Sequence, residues 1–125
     1  MIRYAGLLVS TAALACTGAR SGPPMESCDA TTRILVERPT RQGPPRFDWT
    51  PRCRLAVLTV EPAGQPGNAW WRVEAPLPPL DYGDDGGGTV VEGPRALTPG
   101  EAYRVVWAWG DPDEPQVGGS ASFVY

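Results

Sequence analysis

Hydrophobic and polar positions alternate along most of this chain in short runs, and proline and glycine fence the runs off from one another. Glu101 to Trp109 (EAYRVVWAW) places Tyr103, Val105, Trp107 and Trp109 on one face with a period of two, the repeat of a β-strand. Ser120 to Tyr125 aligns Ala121, Phe123 and Tyr125 in the same way, and Pro45 to Thr50 puts Phe47 and Trp49 on one side. Thr32 to Glu37 and the short Thr89 to Glu92 are further strand candidates. Arg54 to Val60 (RLAVLTV) is apolar at both parities, as expected of a central strand covered on both faces. Ala69 to Glu74 (AWWRVE) follows a Gly-Asn turn and is predicted to return alongside it. Seven such runs predict an all-β domain, a single antiparallel sandwich of about seven strands. No stretch has the spacing of an amphipathic helix, and there is no internal repeat.

Composition changes this picture only at the level of chemistry. With 125 residues the chain is long enough for one domain, and 15 Gly with 15 Pro oppose long helices. Fourteen acidic residues face 11 Arg, with no basic stripe to displace counterions from phosphates, so no nucleic-acid partner is expected. The sequence contains neither His nor Lys. It therefore lacks the commonest general base and metal ligand, the Schiff-base amine and the phosphate-loop lysine. No nucleophile–base arrangement is visible, and the expectation is a non-enzyme without cofactors.

The first residues follow another logic. A short start bearing Arg3 leads into the apolar run Ala5 to Ala15, which ends in small residues, the layout of a secretory signal. As a helix those eleven residues would span only ~16 Å, about half a bilayer core, too short for a permanent span. Ala13-Leu14-Ala15-Cys16 resembles the lipobox of bacterial lipoproteins, with Ala13 where that family prefers Leu. The resemblance implies a signal peptide over residues 1–15, cleavage before Cys16 and a lipid on Cys16 as the membrane anchor. Thr17, where an Asp would favour the inner membrane, implies the outer membrane. The same tripeptide also satisfies ordinary signal peptidase, which would give a soluble secreted or periplasmic product.

Cysteine arithmetic favours the lipid. If Cys16 is acylated, Cys28 and Cys53 remain as an even pair in an oxidising compartment, closing a loop whose entropy is worth ~3 kcal/mol. Residues 16–27 (CTGARSGPPMES) read as the lipidated cysteine and a flexible tether, and residues 28–125 as the sandwich.

Leu97-Thr98-Pro99-Gly100-Glu101-Ala102-Tyr103 resembles the L-x-P-G-x-x-Y element of fibronectin type III domains, and Phe47-Asp48-Trp49 with Pro51 resembles their strand B. The likeness covers roughly residues 32–125. It implies an immunoglobulin-like sandwich with Trp49 in the core and Tyr103 as a tyrosine corner, bonded back to the preceding turn. In that frame Arg54–Val60 is strand C, Ala69–Glu74 is C′, Glu101–Trp109 is F and Ser120–Tyr125 is G. Strands A and C then begin at the same end, which suits a Cys28–Cys53 bridge with Cα atoms ~5.5 Å apart. The layout is similar to that of small bacterial lipoproteins without an assigned role. It transfers architecture, not activity.

Two further features bear on function. The loop from Asp81 to Gly88 (DYGDDGGG) offers Asp81, Asp84 and Asp85 as Ca²⁺ ligands, although its spacing differs from an EF-hand and Asp with Gly is the usual make-up of a solvated turn. Asp111, Asp113 and Glu114 form a second acidic cluster. Trp70 and Trp71 are adjacent, so one faces inward and the other outward; Trp71 and Trp109 are the candidates for an exposed platform that stacks on sugar rings. The expected role is thus a non-catalytic envelope module with an unidentified protein or glycan partner. The alternatives are a carbohydrate-binding module and a Ca²⁺-dependent adhesion module.

Overall fold

A computed structural model describes residues 25–38 and 40–125. The described residues form eight strands and no helix: β1 (Arg33–Glu37), β2 (Arg46–Thr50), β3 (Val57–Pro62), β4 (Trp71–Glu74), β5 (Leu80–Asp81), β6 (Thr89–Glu92), β7 (Ala102–Asp111) and β8 (Glu114–Val124). They build two antiparallel sheets, one ordered β1-β2-β5 and the other β6-β4-β3-β7-β8. The expected all-β, two-sheet architecture is what the chain adopts. The expected signal peptide, Cys16 and the first part of the expected tether, through residue 24, lie outside the described residues.

The alternation seen in the sequence sets which side chains meet between the sheets. Phe47 and Trp49 from β2, Leu80 from β5, Leu58 and Val60 from β3, Trp71 and Val73 from β4, and Tyr103, Val105 and Trp107 from β7 share one core. Fully burying a large apolar side chain stabilises by roughly 1.5–3 kcal/mol, so this layer is the main source of cohesion. Aromatic rings interlock within it: Phe47 stacks on Trp71 with centroids 5.9 Å apart and meets Phe123 edge-on at 5.7 Å. β3 lies in the middle of its sheet, paired with β4 on one side and β7 on the other. Its outward positions Thr59 and Glu61 are buried all the same, because Arg72 and Arg104 lie over them.

Three differences from the sequence reading have local causes. β3 begins at Val57, not Arg54, since Leu55 and Ala56 donate to Pro76 and Ala108 outside the regular ladder. β5 is a strand of only two residues, too short to show a period, and is fixed by pairing with Arg46 and Phe47. The last strand begins at Glu114, not Ser120. Asp111 pairs with Glu114 across a tight turn, and the Asp111 carboxylate accepts the Asp113 N–H at 2.9 Å. Residues 114–117 are exposed, Val117 by 92%, so no buried face imprints an alternation on them.

Further along β8 the register shifts opposite Trp107 and Ala108. There Gly118 and Gly119 make room for the Trp107 indole: a Cβ on Gly119 would lie 2.9 Å from its Cζ2, and one on Gly118 would collide with the ring.

The strands run between two poles. Cys28 and Cys53 lie at disulfide distance, with Cα atoms 5.2 Å apart, close to the expected separation. Cys28 leads into β1 and Cys53 into β3, so the pair staples the N-terminal side of the domain to its central strand. Glu26 adds a bridge, its N–H donating to the Arg52 carbonyl at 3.0 Å. The β7–β8 hairpin turn lies at this same pole, since Val57 pairs with Ala108. Pro62 pairs with Tyr103, so the turns over residues 62–70 and 93–101 lie at the other.

Candidate functional site

The sequence-predicted residues do not converge on one site. Asp81 is taken up by a cross-strand ion pair: Arg46 Nε donates to its Oδ1 at 2.8 Å, from the residue directly opposite in the β2–β5 register. That bond raises the Arg46 pKa above the ordinary arginine value. Asp84 and Asp85 fold their own loop. The Asp84 carboxylate accepts the Asp85 N–H at 2.8 Å, and the Asp85 carboxylate accepts the Gly87 N–H at 3.0 Å. The second is the Asx bond, to the backbone two residues on, that makes Asp a turn residue. Among the described residues no group of three or more His, Cys, Asp or Glu side chains stands where it could hold a metal ion.

Trp71 requires a correction. It is 0% exposed and packs between Phe47 and Tyr82, so it offers no face to a ligand. The physical reason lies in its own strand, where Trp71 and Val73 face the core while Arg72 and Glu74 face solvent. Continuing that alternation backward leaves Trp70 as the more accessible of the pair, a signal present in the sequence. Trp109 is partly buried against the core, and its Nε1 is shielded from solvent. It lies toward the hairpin pole, away from Trp70.

Around Trp70 the chain builds a fixed aromatic corner. The Trp70 N–H donates to Val60 at 2.9 Å, and its carbonyl accepts the Arg95 N–H at 3.0 Å. The Arg95 guanidinium lies 4.8 Å from the Trp70 ring centroid, a cation–π contact. Tyr103 stands on the indole with centroids 5.4 Å apart. Tyr103 is itself pinned, because its hydroxyl accepts the Thr98 N–H at 2.7 Å. The Tyr82 hydroxyl donates to the Arg95 carbonyl at 2.6 Å, and burial, with Tyr103 nearby, pushes its pKa up to about 12. Gly93 makes this approach feasible: it holds φ at 69°, and a Cβ there would collide with the Trp70 carbonyl.

Between the 62–68 turn and the 98–102 turn this corner opens into a groove of about 240 Å³, lined by Pro62, Gln65, Trp70, Thr98, Glu101 and Tyr103. The 62–68 turn is held by Glu61, which the sequence reading did not single out. Its carboxylate accepts two bonds from Arg104, at Nε (3.1 Å) and Nη2, and one from the Gly67 N–H at 2.9 Å. Trp49 and Tyr103, expected as structural residues, are both buried; Trp49 Nε1 donates to the Cys53 carbonyl at 2.7 Å. Comparison with protein families, curated proteins and solved structures gives no match. The functional reading therefore rests on this chain's own residues.

Proposed function

We propose that this chain is a bacterial envelope lipoprotein: a signal peptide over residues 1–15, a lipid on Cys16, a short tether, and a non-catalytic immunoglobulin-like sandwich that serves as an interaction module. The observation that carries this reading is the Cys28–Cys53 pair at disulfide distance. Such a pair belongs to an oxidising compartment, and it leaves Cys16 as the odd cysteine, free for another chemistry. The strand order supports the immunoglobulin-like frame. β4-β3-β7-β8 follows the C′-C-F-G order implied by the sequence likeness, and β1-β2-β5 completes the second sheet. β6, added outside β4, is this chain's own departure. The bond from the Thr98 N–H to the Tyr103 hydroxyl supports a tyrosine corner. A non-catalytic role fits a chain without His or Lys whose carboxylates in the acidic loop serve ion pairing and turn formation.

The test is metabolic labelling of the producing bacterium with radioactive fatty acid. Label should enter the wild-type chain and be absent from Cys16→Ala. Trypsin, cutting at Arg20 in the tether, should then free the domain from washed membranes. A chain that carries no label and is found in the soluble fraction before trypsin would refute the anchor and leave plain secretion.

A further inference from the structure

We propose that the groove bounded by Pro62, Gln65, Trp70, Thr98, Glu101 and Tyr103 binds a neutral saccharide unit. The proposal deepens the interaction-module reading above and rests on it. A saccharide ring has an apolar C–H face and a rim of hydroxyls, and the groove has the complement of both. Its apolar side is the part-exposed Trp70 indole with the Pro62 ring beside it, while Tyr103 packs against the indole from a buried position. Its polar groups are a carboxylate (Glu101), an amide (Gln65) and a hydroxyl (Thr98), the set that accepts from and donates to sugar hydroxyls. At about 240 Å³ it is smaller than a typical drug-sized site and suits the end or a single unit of a glycan.

Donor accounting separates this ligand from the other common occupant of a Trp–Tyr groove, a proline-rich peptide. Such a peptide presents carbonyl acceptors and needs indole and phenol donors. Here Trp70 Nε1 is shielded from solvent, and Tyr103 is buried with its hydroxyl accepting the Thr98 N–H, so neither group reaches a ligand as a donor. The exposed Glu101 carboxylate only accepts, which favours a ligand rich in hydroxyl donors and opposes an acidic one.

The groove is also built in advance. Trp70 is fixed through its own N–H and carbonyl, Arg95 is held by Trp70 and Tyr82, and the 62–68 turn is tied down by Glu61. Little ordering entropy is then lost on binding, which a small shallow site needs in order to bind at all. The groove occupies the pole opposite Cys28, so a tether ahead of Cys28 presents it away from the anchor.

The experiment titrates the purified full chain, in detergent micelles, with neutral oligomers of glucose, N-acetylglucosamine, mannose and galactose, read by calorimetry and tryptophan emission. At least one series should bind with a Kd of about 1 mM or tighter. Glu101→Ala and Gln65→Ala, both at exposed positions, should each weaken it by about tenfold or more, about 1.4 kcal/mol. Asp113→Ala, at the other pole, should leave it unchanged. The proposal is overturned if no oligomer binds at about 10 mM, well above the range in which weak specific sites fill. It is equally overturned if binding ignores both groove variants, if uronic acid oligomers bind more tightly than neutral ones, or if a proline-rich peptide occupies the groove and sugars fail to displace it. The mass of the same preparation reports lipidation separately. A lipid-free chain that still binds sugar refutes the anchor alone, and a lipidated chain that binds none refutes the groove alone.

Discussion

Replacing Glu61 by Gln tests how the distal turns are held. Glu61 lies on the outer side of the central strand β3, with its side chain 6% exposed, against 34% for Arg104. One oxygen receives two Arg104 donors and the other receives the Gly67 N–H, so the carboxylate ties β3, β7 and the 62–68 turn together. Gln preserves the shape but keeps only one acceptor oxygen. Either the Arg104 bonds or the Gly67 bond is lost, and an NH₂ group then faces a donor. A hydrogen bond to a charged group contributes roughly 1.5–3 kcal/mol, and breaking a fully buried pair costs about 3–5. Because Arg104 is one-third exposed, water screens part of the attraction, and we expect Glu61→Gln to lose about 2–3 kcal/mol. In a domain of this size that lowers Tm by about 10 °C. Arg104→Met should cost as much or more, since it strands the carboxylate. The double variant Glu61→Leu with Arg104→Met should recover most of the loss, because it removes both desolvation costs. Equilibrium urea unfolding followed by tryptophan emission measures each value. A Glu61→Gln loss within about 0.5 kcal/mol of wild type, the range of an ordinary surface change, would refute the reasoning. So would a double variant no better than the worse single.

Two further outcomes follow from other contacts. Removing the Cys28–Cys53 link with a double Ser substitution frees a loop of 25 residues and should lower the unfolding free energy by roughly 3–3.5 kcal/mol, read as a reduced urea midpoint. Raising pH should destabilise the domain between pH 10.0 and about 12: folded Tyr82 keeps its proton there while the unfolded chain has released it, so its contribution to stability is intact below pH 10 and lost as pH passes the folded value. With no Lys to titrate in that window, Tyr82→Phe should flatten the alkaline fall in the urea midpoint, and an unchanged slope would rule Tyr82 out as its source.

Most of the fold was legible because its strands have one buried face. The period-two pattern of Phe47 and Trp49, or of Tyr103, Val105 and Trp107, is a direct record of which side meets the core. Where that condition fails the sequence is silent. Leu80–Asp81 is too short to carry a period, and residues 114–117 overhang the sandwich with neither face covered. The site was less legible. Trp71 faces the core and not solvent, as the parity of Arg72 and Glu74 indicates. Glu61 and Arg104 are 43 residues apart and face each other only through the β3–β7 register. Likewise, Arg95 meets Trp70 only because the segment leaving β6 runs on alongside the residues just ahead of β4.

The staple at Cys28 also determines how the domain bears load. A pull transmitted through the chain ahead of Cys28 would, without the link, reach β1 first, an edge strand held only by its single ladder with β2. The Cys28–Cys53 bond diverts the tension past β1 and β2 to the start of β3. β3 is gripped along its length by β4 and β7, so a tug against something held at the far pole stretches it lengthwise and shears both ladders at once. A domain wired in this way meets traction with its central strand, the one held by two ladders.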